Sequence, residues 1–493
     1  MVTNNKNINI QFLLTIGISI LIQIIMLLQN AVAASRYGIS GEMDAYNVAY
    51  NITTFIFSFY SAAITTILIP SLVKKKLKSV NTFITVLLVI IILSSALLIM
   101  FKEQIVKLVG GKELLFPELT SYLLIILTVG YIFKALTGIT NAVYQTNNKY
   151  VFPKISQSIS MILVICIIVF VHNKSIYFFT MAISLGFLID FLVQTLSMNK
   201  SLFIFKPSFD FRDKDFRIML SGFFPIFIST AFFQISLLID VFIAGRLGEG
   251  NISILTYSNQ IVGLVNALIV VNLVAFIYPK MAKLISKDKL LSQEFLLKNI
   301  ILSAIIMIYI VLEYIVLGKE AITLFFERGM FTNVVTNTVY SLSILYFLTL
   351  PFTVIRDLFY RYFYGDNDTT TPLKNSIVVT FIKIGLSLFL TIFIGLYGLV
   401  LGTVIANIVS VIMIFFRFKK KYSILFDMKL LLIEYTKILL GGIIAIILTF
   451  ILKDFIIGLN LYFKMIIVIT FSTICYILLC YILKVKVFKF KFF

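Results

Sequence analysis

The sequence predicts an all-α integral membrane protein with about fourteen transmembrane helices. Of its 493 residues, 60% are hydrophobic and only 13% are charged, and the mean hydropathy is +1.05. A soluble chain of this length would need more polar surface than this composition provides. The apolar residues also recur in blocks close to the roughly 20 residues that cross a bilayer as a helix. Such continuous blocks differ from the alternating pattern of a membrane β-barrel.

Fourteen of these blocks follow one another, separated by short polar segments. We predict helices at about 10–35, 45–73, 80–101, 119–146, 150–171, 175–199, 215–246, 253–285, 296–317, 333–364, 373–394, 396–418, 430–453 and 460–484. The eleventh and twelfth are separated only by the turn from Gly395 to Gly398. An even number of crossings puts both termini on one side, and a cytoplasmic N-terminus places most lysine and arginine in cytoplasmic loops. Twelve crossings with two re-entrant segments are the alternative.

The net charge of +20 is concentrated at the ends of the predicted helices. The basic clusters are Lys74 to Lys78, Lys280 to Lys289, Arg417 to Lys421 and Lys484 to Lys491. Clusters of this kind are typical of cytoplasmic loops that face anionic lipid, whereas a nucleic-acid surface needs one contiguous basic face. We therefore expect membrane lipid as a partner and no nucleic acid.

The few cysteines and histidines argue against a metal or cofactor centre. Cys166, Cys475 and Cys480 lie in apolar blocks, and the single histidine is His172. A spacing of five residues between Cys475 and Cys480 does not suit metal ligation. We expect no catalytic residue, no metal and no cofactor, and no cleavable signal peptide before the first helix.

An internal repeat relates two parts of the chain. Arg36 begins a segment that reaches Pro70 after 34 residues, and Arg246 begins one that reaches Pro279 after 33 residues. In both copies a glycine follows two residues after the arginine, and a Tyr/Asn-containing helix comes before the proline. Repeats of this size are common in transporters.

A second pair follows in register, because Tyr144 leads to Pro153 and Tyr364 leads to Pro372. Helices one to six therefore resemble helices seven to twelve. We predict two pseudo-symmetric six-helix lobes with two additional helices, at 1–205, 206–420 and 421–493, the last ending in a basic cytoplasmic tail. Two like-oriented lobes around a central cavity are the arrangement that alternating access requires.

Polar side chains within the predicted helices are candidates for substrate binding, because intramembrane polar groups usually face the bundle interior. The candidates are Gln29 and Asn30 in the first helix, Asp44 and Asn51 in the second, and Asn259 and Gln260 in the eighth. Asp44, Asn47 and Asn51 share one helix face. Amides that only join helices to one another are the alternative for each of them.

Two lysines are the candidates to contact an anionic substrate. Lys134 and Lys383 lie in the middle of predicted helices, with no carboxylate one helical turn away. The alternative is that both extend their ammonium groups to the membrane surface. Glu434 and Lys437, by contrast, are three residues apart and are expected to pair with each other.

Four stretches carry a family resemblance: GEMDAYNVAY (41–50), LTYSNQ (255–260), LFFERGMFT (324–332) and FYGDNDTTTP (363–372). At these residues the chain resembles the MurJ (MviN) lipid II flippases of the multidrug/oligosaccharidyl-lipid/polysaccharide exporter superfamily. The resemblance covers about residues 10–420. It implies a fourteen-helix transporter that moves a polyprenyl-pyrophosphate-linked saccharide from the inner to the outer leaflet of the bacterial cytoplasmic membrane.

The chain departs from this family at the arginines of the cavity. The family's Arg-Asp pair in the first helix falls on Gln29 and Asn30, and its arginine in the eighth helix falls on Gln260. Glutamine can donate a hydrogen bond to phosphate, but it does not neutralise charge. Lys134 and Lys383 are the cations that this chain offers instead.

The leading hypothesis is a flippase for lipid II or a related cell-envelope glycan precursor. A drug/cation antiporter of the same superfamily is the alternative, and it would need carboxylates such as Asp44 in the cavity. A membrane glycosyltransferase would need large outer loops, whereas the longest predicted one, 102–118, is short. We therefore expect a transporter rather than an enzyme, with a coupling ion as an additional candidate partner.

Overall fold

The computed structural model describes residues 2–73, 76–110, 115–147, 149–171, 175–198, 205–366, 368–423, 428–456 and 460–485. The helices are α1 (Val2–Tyr37), α2 (Gly41–Ala63), α3 (Ile69–Val73), α4 (Leu77–Met100), α5 (Lys102–Gly110), α6 (Pro117–Thr146), α7 (Val151–Phe170), α8 (Ile176–Leu196), α9 (Lys214–Gly245), α10 (Asn251–Val265), α11 (Val271–Lys287), α12 (Lys289–Phe325), α13 (Asn333–Phe347), α14 (Leu350–Gly365), α15 (Thr370–Ile394), α16 (Leu396–Tyr422), α17 (Met428–Phe455) and α18 (Leu461–Ile482). π-Helical turns join α2 to α3 and α10 to α11. These ranges contain no strand, so the predicted all-α fold is confirmed.

Each of the fourteen predicted helices lies on an observed helix. Twelve helices of the described ranges are long and apolar enough to cross a membrane, which confirms a multi-pass membrane protein. The other two predicted crossings are α2, which has Glu42 and Asp44 in its first turn, and α9, whose apolar stretch is Thr230–Gly245. With 23 and 32 residues, both are long enough for a hydrocarbon core of about 30 Å at about 1.5 Å per residue.

Three departures from the predicted helices have local causes. The predicted loop 102–118 contains the short helix α5, which buries Val106 and exposes Lys107. Helix α12 begins earlier than predicted, because Asp288 caps it by accepting hydrogen bonds from two backbone N–H groups at 2.8 and 3.1 Å. The predicted tenth helix is divided into α13 and α14 just before Pro351, since proline cannot donate the backbone hydrogen bond of a continuous helix. Gly395 alone joins α15 to α16, at the predicted turn.

The contacts divide the chain into two compact units. The first comprises residues 1–253 and 328–331, and the second comprises 254–327 and 332–493. Within the first unit, α2 packs on α6 and α9, α6 packs on α8, and α1 packs on α7. Its core includes buried aromatic residues such as Phe57, Phe83 and Tyr131.

The second unit is also built from helix pairs. Helix α15 packs on α16, α12 on α17, and α17 on α18. The Tyr314 and Phe347 rings stack with 3.7 Å between their centroids. The predicted pair of Glu434 and Lys437 is confirmed by an ion pair of 2.9 Å.

The second repeat pair forms the same local turn in both copies. Backbone N–H groups three and five residues further on donate to the Tyr144 carbonyl, at 3.1 and 2.9 Å, and the equivalent groups donate to the Phe363 carbonyl at the same distances. Pro153 and Pro372 each follow nine residues later. The turn therefore pairs Tyr144 with Phe363 rather than Tyr364.

The lobe boundary at 205/206 stays a prediction. His172, Lys74, Lys75 and the residues from Lys486 to Lys491 lie outside the described residues.

Candidate functional site

Lys134 lies near the middle of α6 with its ammonium group over two aromatic rings. Its Nζ atom is 4.4 Å from the centroid of the Tyr131 ring and 4.8 Å from that of Phe187. Tyr131 precedes Lys134 by about one helical turn, and Phe187 comes from α8, which packs on α6. The negative faces of aromatic rings attract a cation, more strongly where water is excluded. These contacts hold a positive charge at mid-helix.

Helix α2 adds hydroxyl groups to this site. The hydroxyl oxygens of Tyr131 and Thr54 are 2.7 Å apart, and the Tyr50 ring meets the Tyr131 ring edge to face with 6.1 Å between centroids. Tyr50 and Thr54 lie four residues apart and so share one face of α2. We call Lys134, Tyr131, Phe187, Tyr50 and Thr54 the Lys134 cluster. It joins α2, α6 and α8 within the first unit.

In the part of the chain that the structure describes, the Lys134 cluster carries a positive charge without a paired carboxylate. None of the ion pairs found within the described ranges involves Lys134, and its side chain is exposed at the surface of the unit. An ammonium group has three hydrogen-bond donors and binds phosphate as a point charge. The cluster is therefore chemically suited to an anion such as a phosphate group.

Asp44 is placed differently from the sequence-based expectation of a cavity ligand. Its carboxylate is buried, with 3% of the residue exposed, and accepts hydrogen bonds from Gly250 N (2.6 Å), Ser253 N (2.7 Å) and Ser253 Oγ (2.6 Å). These N–H groups belong to the residue before α10 and to its first turn, where a carboxylate satisfies unpaired donors and complements the helix dipole. Asn47 donates to Ser253 Oγ at 3.2 Å. Asp44 thereby fastens α2 to the start of α10.

The other predicted residues on α1 and α2 make no described contact with the Asp44 carboxylate. Asn51 Nδ2 donates to the Asn47 carbonyl of its own helix at 2.7 Å. Gln29 and Asn30 are half-exposed on α1, which packs on α7. The first unit thus holds Gln29, Asn30, Asp44, Asn51 and Lys134. Of these, Lys134 belongs to the Lys134 cluster, and Asn51 follows a member of it, Tyr50, in the chain.

The second unit holds the remaining predicted residues. Asn259 is exposed on α10, and Lys383 is half-exposed on α15. Gln260 Oε1 is buried and has no hydrogen-bond partner among the described residues. An unpaired buried acceptor costs about 1–3 kcal/mol, so this oxygen is suited to a ligand that donates a hydrogen bond.

The sequence-based prediction missed the aromatic and hydroxyl members of the Lys134 cluster. A usable signal was present for Tyr131, which lies three residues from Lys134, and for Tyr50 and Thr54, which lie next to or near Asn51. No local signal points to Phe187, because its contact depends on the packing of α8 on α6.

In the second unit Arg356 pairs with the adjacent Asp357 at 2.9 Å.

Two of the motifs that carry the family resemblance have structural roles in the second unit. Glu327 accepts hydrogen bonds from the hydroxyls of Thr323 and Thr336, at 2.8 Å each, and so ties the end of α12 to α13. Asp368 accepts hydrogen bonds from Thr371 N at 2.9 Å and Thr371 Oγ1 at 2.7 Å, and pairs with Lys421 Nζ at 2.8 Å. These contacts fasten the start of α15 to the end of α16.

Asp368 should make stability depend on pH. Burial alone would raise the pKa of its carboxyl group, but hydrogen bonds from Lys421 and Thr371 hold this pKa well below its usual range. A carboxylate with a lowered pKa stabilises the fold above its unfolded pKa of about 3.9, and this contribution is lost as the pH falls through the folded value. We expect Asp368→Asn to lower the melting temperature at pH 7, and the difference from the unchanged protein to shrink below about pH 4.

Asp366→Asn is the matched control for this prediction, because Asp366 also contacts Lys421, at 3.2 Å, but its side chain is 40% exposed. Its effect on the melting temperature should be smaller. Equal effects of the two variants, or a difference that does not change with pH, would contradict the role of Asp368.

The chain is similar to known proteins over most of its length. The family model described as lipid II flippase MurJ matches residues 33–480. A probable lipid II flippase MurJ of Rickettsia prowazekii is 26% identical over 399 residues, which are 77% of this chain and 78% of the relative. The lipid II flippase MurJ of Thermosipho africanus is 27% identical over 80% of this chain and 83% of its own length.

Solved structures show the same fold. A lipid II flippase MurJ in an inward closed conformation matches with a TM-score of 0.82 and 24% identity, over 95% of this chain and 98% of the other. An inward-facing multidrug resistance transporter of the MATE family matches with a TM-score of 0.66 and 16% identity, over 83% and 98%. The predicted family is confirmed by the match of its model over most of the chain. This multi-pass membrane protein belongs to the lipid II flippase MurJ family.

Proposed function

We propose that the chain carries lipid II, or a related polyprenyl-pyrophosphate-linked saccharide, from the inner to the outer leaflet by alternating access. One observation within the chain carries this proposal, namely the Lys134 cluster at the middle of α6. A pyrophosphate that enters a low-dielectric cavity needs a counter-charge. Lys134 supplies one at mid-helix, in a chain that has uncharged residues where the resemblance places the family's arginines.

Each member of the Lys134 cluster has a different role in binding the pyrophosphate. The Lys134 ammonium attracts the pyrophosphate. The hydroxyls of Tyr131 and Thr54 are hydrogen-bonded to each other, so one of their two protons is free to donate to a phosphate oxygen. The rings of Phe187 and Tyr50 form the apolar side of the cluster. Lysine acts as a point charge and needs no bidentate geometry, so it can follow a phosphate group that changes orientation during transport.

The amides serve the saccharide. The unpaired Oε1 of Gln260 can accept a hydrogen bond from a sugar hydroxyl, and Gln29, Asn30, Asn51 and Asn259 offer both donors and acceptors. Lys383 is the second cation in this assignment. Asp44 acts as a positioning residue, because its oxygens are already engaged with the first turn of α10.

Translocation neither makes nor breaks a covalent bond, so we infer a transporter without catalytic residues. We place it in the bacterial cytoplasmic membrane with both termini in the cytoplasm, because this orientation puts the basic clusters beside anionic lipid. The lobes at 1–205 and 206–420 are the parts that alternate between inward- and outward-open states.

Purified protein in vesicles tests the proposal. Vesicles should contain lipid II labelled with a fluorophore on its sugar, and a membrane-impermeant quencher is added outside. We expect the quencher to reach label from both leaflets when the protein is present, but only label of the outer leaflet in protein-free vesicles. A phospholipid that carries the same fluorophore is the matched control and should stay in its leaflet.

The outcomes separate the candidate functions. Equal movement of the labelled phospholipid would indicate nonspecific scrambling and contradict the proposal. Failure with lipid II and with other polyprenyl-pyrophosphate-linked saccharides, together with uptake of a cationic dye against a proton gradient, would favour the antiporter.

A further inference from the structure

A cavity of about 380 Å³ lies between α1 and α7 in the first unit. Its walls are apolar and include Leu28 and Val32 of α1 and Ile165 and Val169 of α7. This volume lies within the range of small-molecule pockets, about 300–1,000 Å³. Both helices are membrane spans, so an alkyl chain is the abundant ligand for such walls.

Two arginines line the same cavity, Arg36 in the last turn of α1 and Arg328. A guanidinium group presents a planar fork of donors that matches the oxygens of a phosphate group. Apolar walls with a cationic end are therefore complementary to an anionic lipid, whose alkyl chain and phosphate are separated in the same way. We call this cavity the Arg36 groove.

Arg328 is held at the groove by close backbone packing against the end of α1. Met330 N donates to the Ser35 carbonyl at 2.9 Å. Gly329 has a φ of +60°, and a Cβ atom there would lie 2.1 Å from Ser35 O. Only glycine fits this position, because any side chain would collide with backbone that cannot move aside. The backbone beside Arg328 is therefore fixed against the end of α1.

We propose that the Arg36 groove binds one anionic phospholipid of the bilayer, with its phosphate at Arg36 and Arg328 and one acyl chain along α1 and α7. This site is separate from the Lys134 cluster on α2, α6 and α8, and its occupant is not the transported lipid. The bound lipid adds contacts to the joint between α1 and residues 328–331, so binding stabilises the folded protein by mass action.

Native mass spectrometry of the delipidated protein tests this assignment, with phosphatidylglycerol as the probe. We expect one phosphatidylglycerol to bind the unchanged protein about tenfold more tightly than it binds the double variant R36Q/R328Q. Phosphatidylglycerol should raise the melting temperature of the unchanged protein but not that of the double variant. Val32→Trp fills the apolar part of the groove and should abolish the same adduct without altering charge. Arg212→Gln removes an exposed arginine outside the groove and should change neither measurement.

The comparison ligands decide what the groove recognises. Phosphatidylcholine should bind more weakly, because its choline compensates the phosphate charge, and inorganic phosphate should not raise the melting temperature. The proposal is overturned if inorganic phosphate gives the full effect, or if the groove variants keep the same phosphatidylglycerol adduct. Binding of a polyprenyl pyrophosphate in place of phosphatidylglycerol would equally overturn the assignment of a phospholipid. The double variant must elute as a monodisperse species in size-exclusion chromatography. If it does not, Val32→Trp replaces it in the comparison with the unchanged protein.

Discussion

Replacing Lys134 with glutamine should reduce translocation of a lipid-linked saccharide by about 10- to 100-fold, because a hydrogen bond to a charged group contributes about 1.5–3 kcal/mol. Glutamine preserves polarity and much of the length of lysine, but it removes the only charge in the Lys134 cluster. The amount of folded protein in the membrane should not fall, since the ammonium forms no ion pair within the described ranges. The measurement is the initial rate of label exposure in vesicles.

Two further variants make this test specific. Lys134→Arg keeps the positive charge and should retain most of the activity. Lys102→Gln is the matched control, because Lys102 also lies over an aromatic ring, that of Tyr122 at 5.4 Å, but at the start of α5. Its rate should stay unchanged. A normal rate for Lys134→Gln, or equal losses for the two lysines, would remove Lys134 from the site.

Replacing Asp44 with asparagine should lower the melting temperature of the purified protein more than any other substitution considered for the first unit. The asparagine amide has one acceptor oxygen in place of two, so a buried backbone N–H at the start of α10 loses its partner. A lost hydrogen bond to a buried charged group, with an unpaired donor left behind, costs about 3 kcal/mol. A fluorescence-detected thermal melt measures the change.

Glu42→Gln is the control for this substitution, because Glu42 lies in the same first turn of α2 but is exposed. Its melting temperature should stay close to that of the unchanged protein. If Asp44→Asn keeps its melting temperature but loses transport, Asp44 contacts the substrate or a coupling ion, as the sequence alone suggested. A fall in melting temperature with a normal rate per folded molecule supports the positioning role.

The helices show how far local sequence information reaches. Each of the fourteen segments predicted from hydropathy lies on an observed helix, and Gly395 marked the turn between the eleventh and twelfth, because these signals depend only on neighbouring residues. The ends of the helices and the short helix α5 were harder to predict from the sequence. Asp288 extended α12 through its capping hydrogen bonds, and α5 formed in a segment expected to be a loop, since a nine-residue amphipathic helix has too little apolar length to signal a membrane span.

The candidate site shows where this information ends. A lysine in the middle of an apolar helix was visible in the sequence, and so was the family resemblance. Asp44 and Lys134 nevertheless look alike as isolated intramembrane charges. Their roles differ because of their partners, which are Gly250 and Ser253 for the carboxylate and Phe187 for the ammonium.

The sequence by itself determined the membrane class, the position and order of the long apolar helical segments and the family, because composition and motifs are properties of single segments. Only the tertiary structure decided that Asp44 is enclosed by the start of α10, that two aromatic rings lie beside the Lys134 ammonium, and that Arg36 and Arg328 share one groove. Each of these depends on contacts between residues far apart in the chain. Such contacts arise from the packing of helices against one another, and the same polar residue has a different environment depending on which helix it faces.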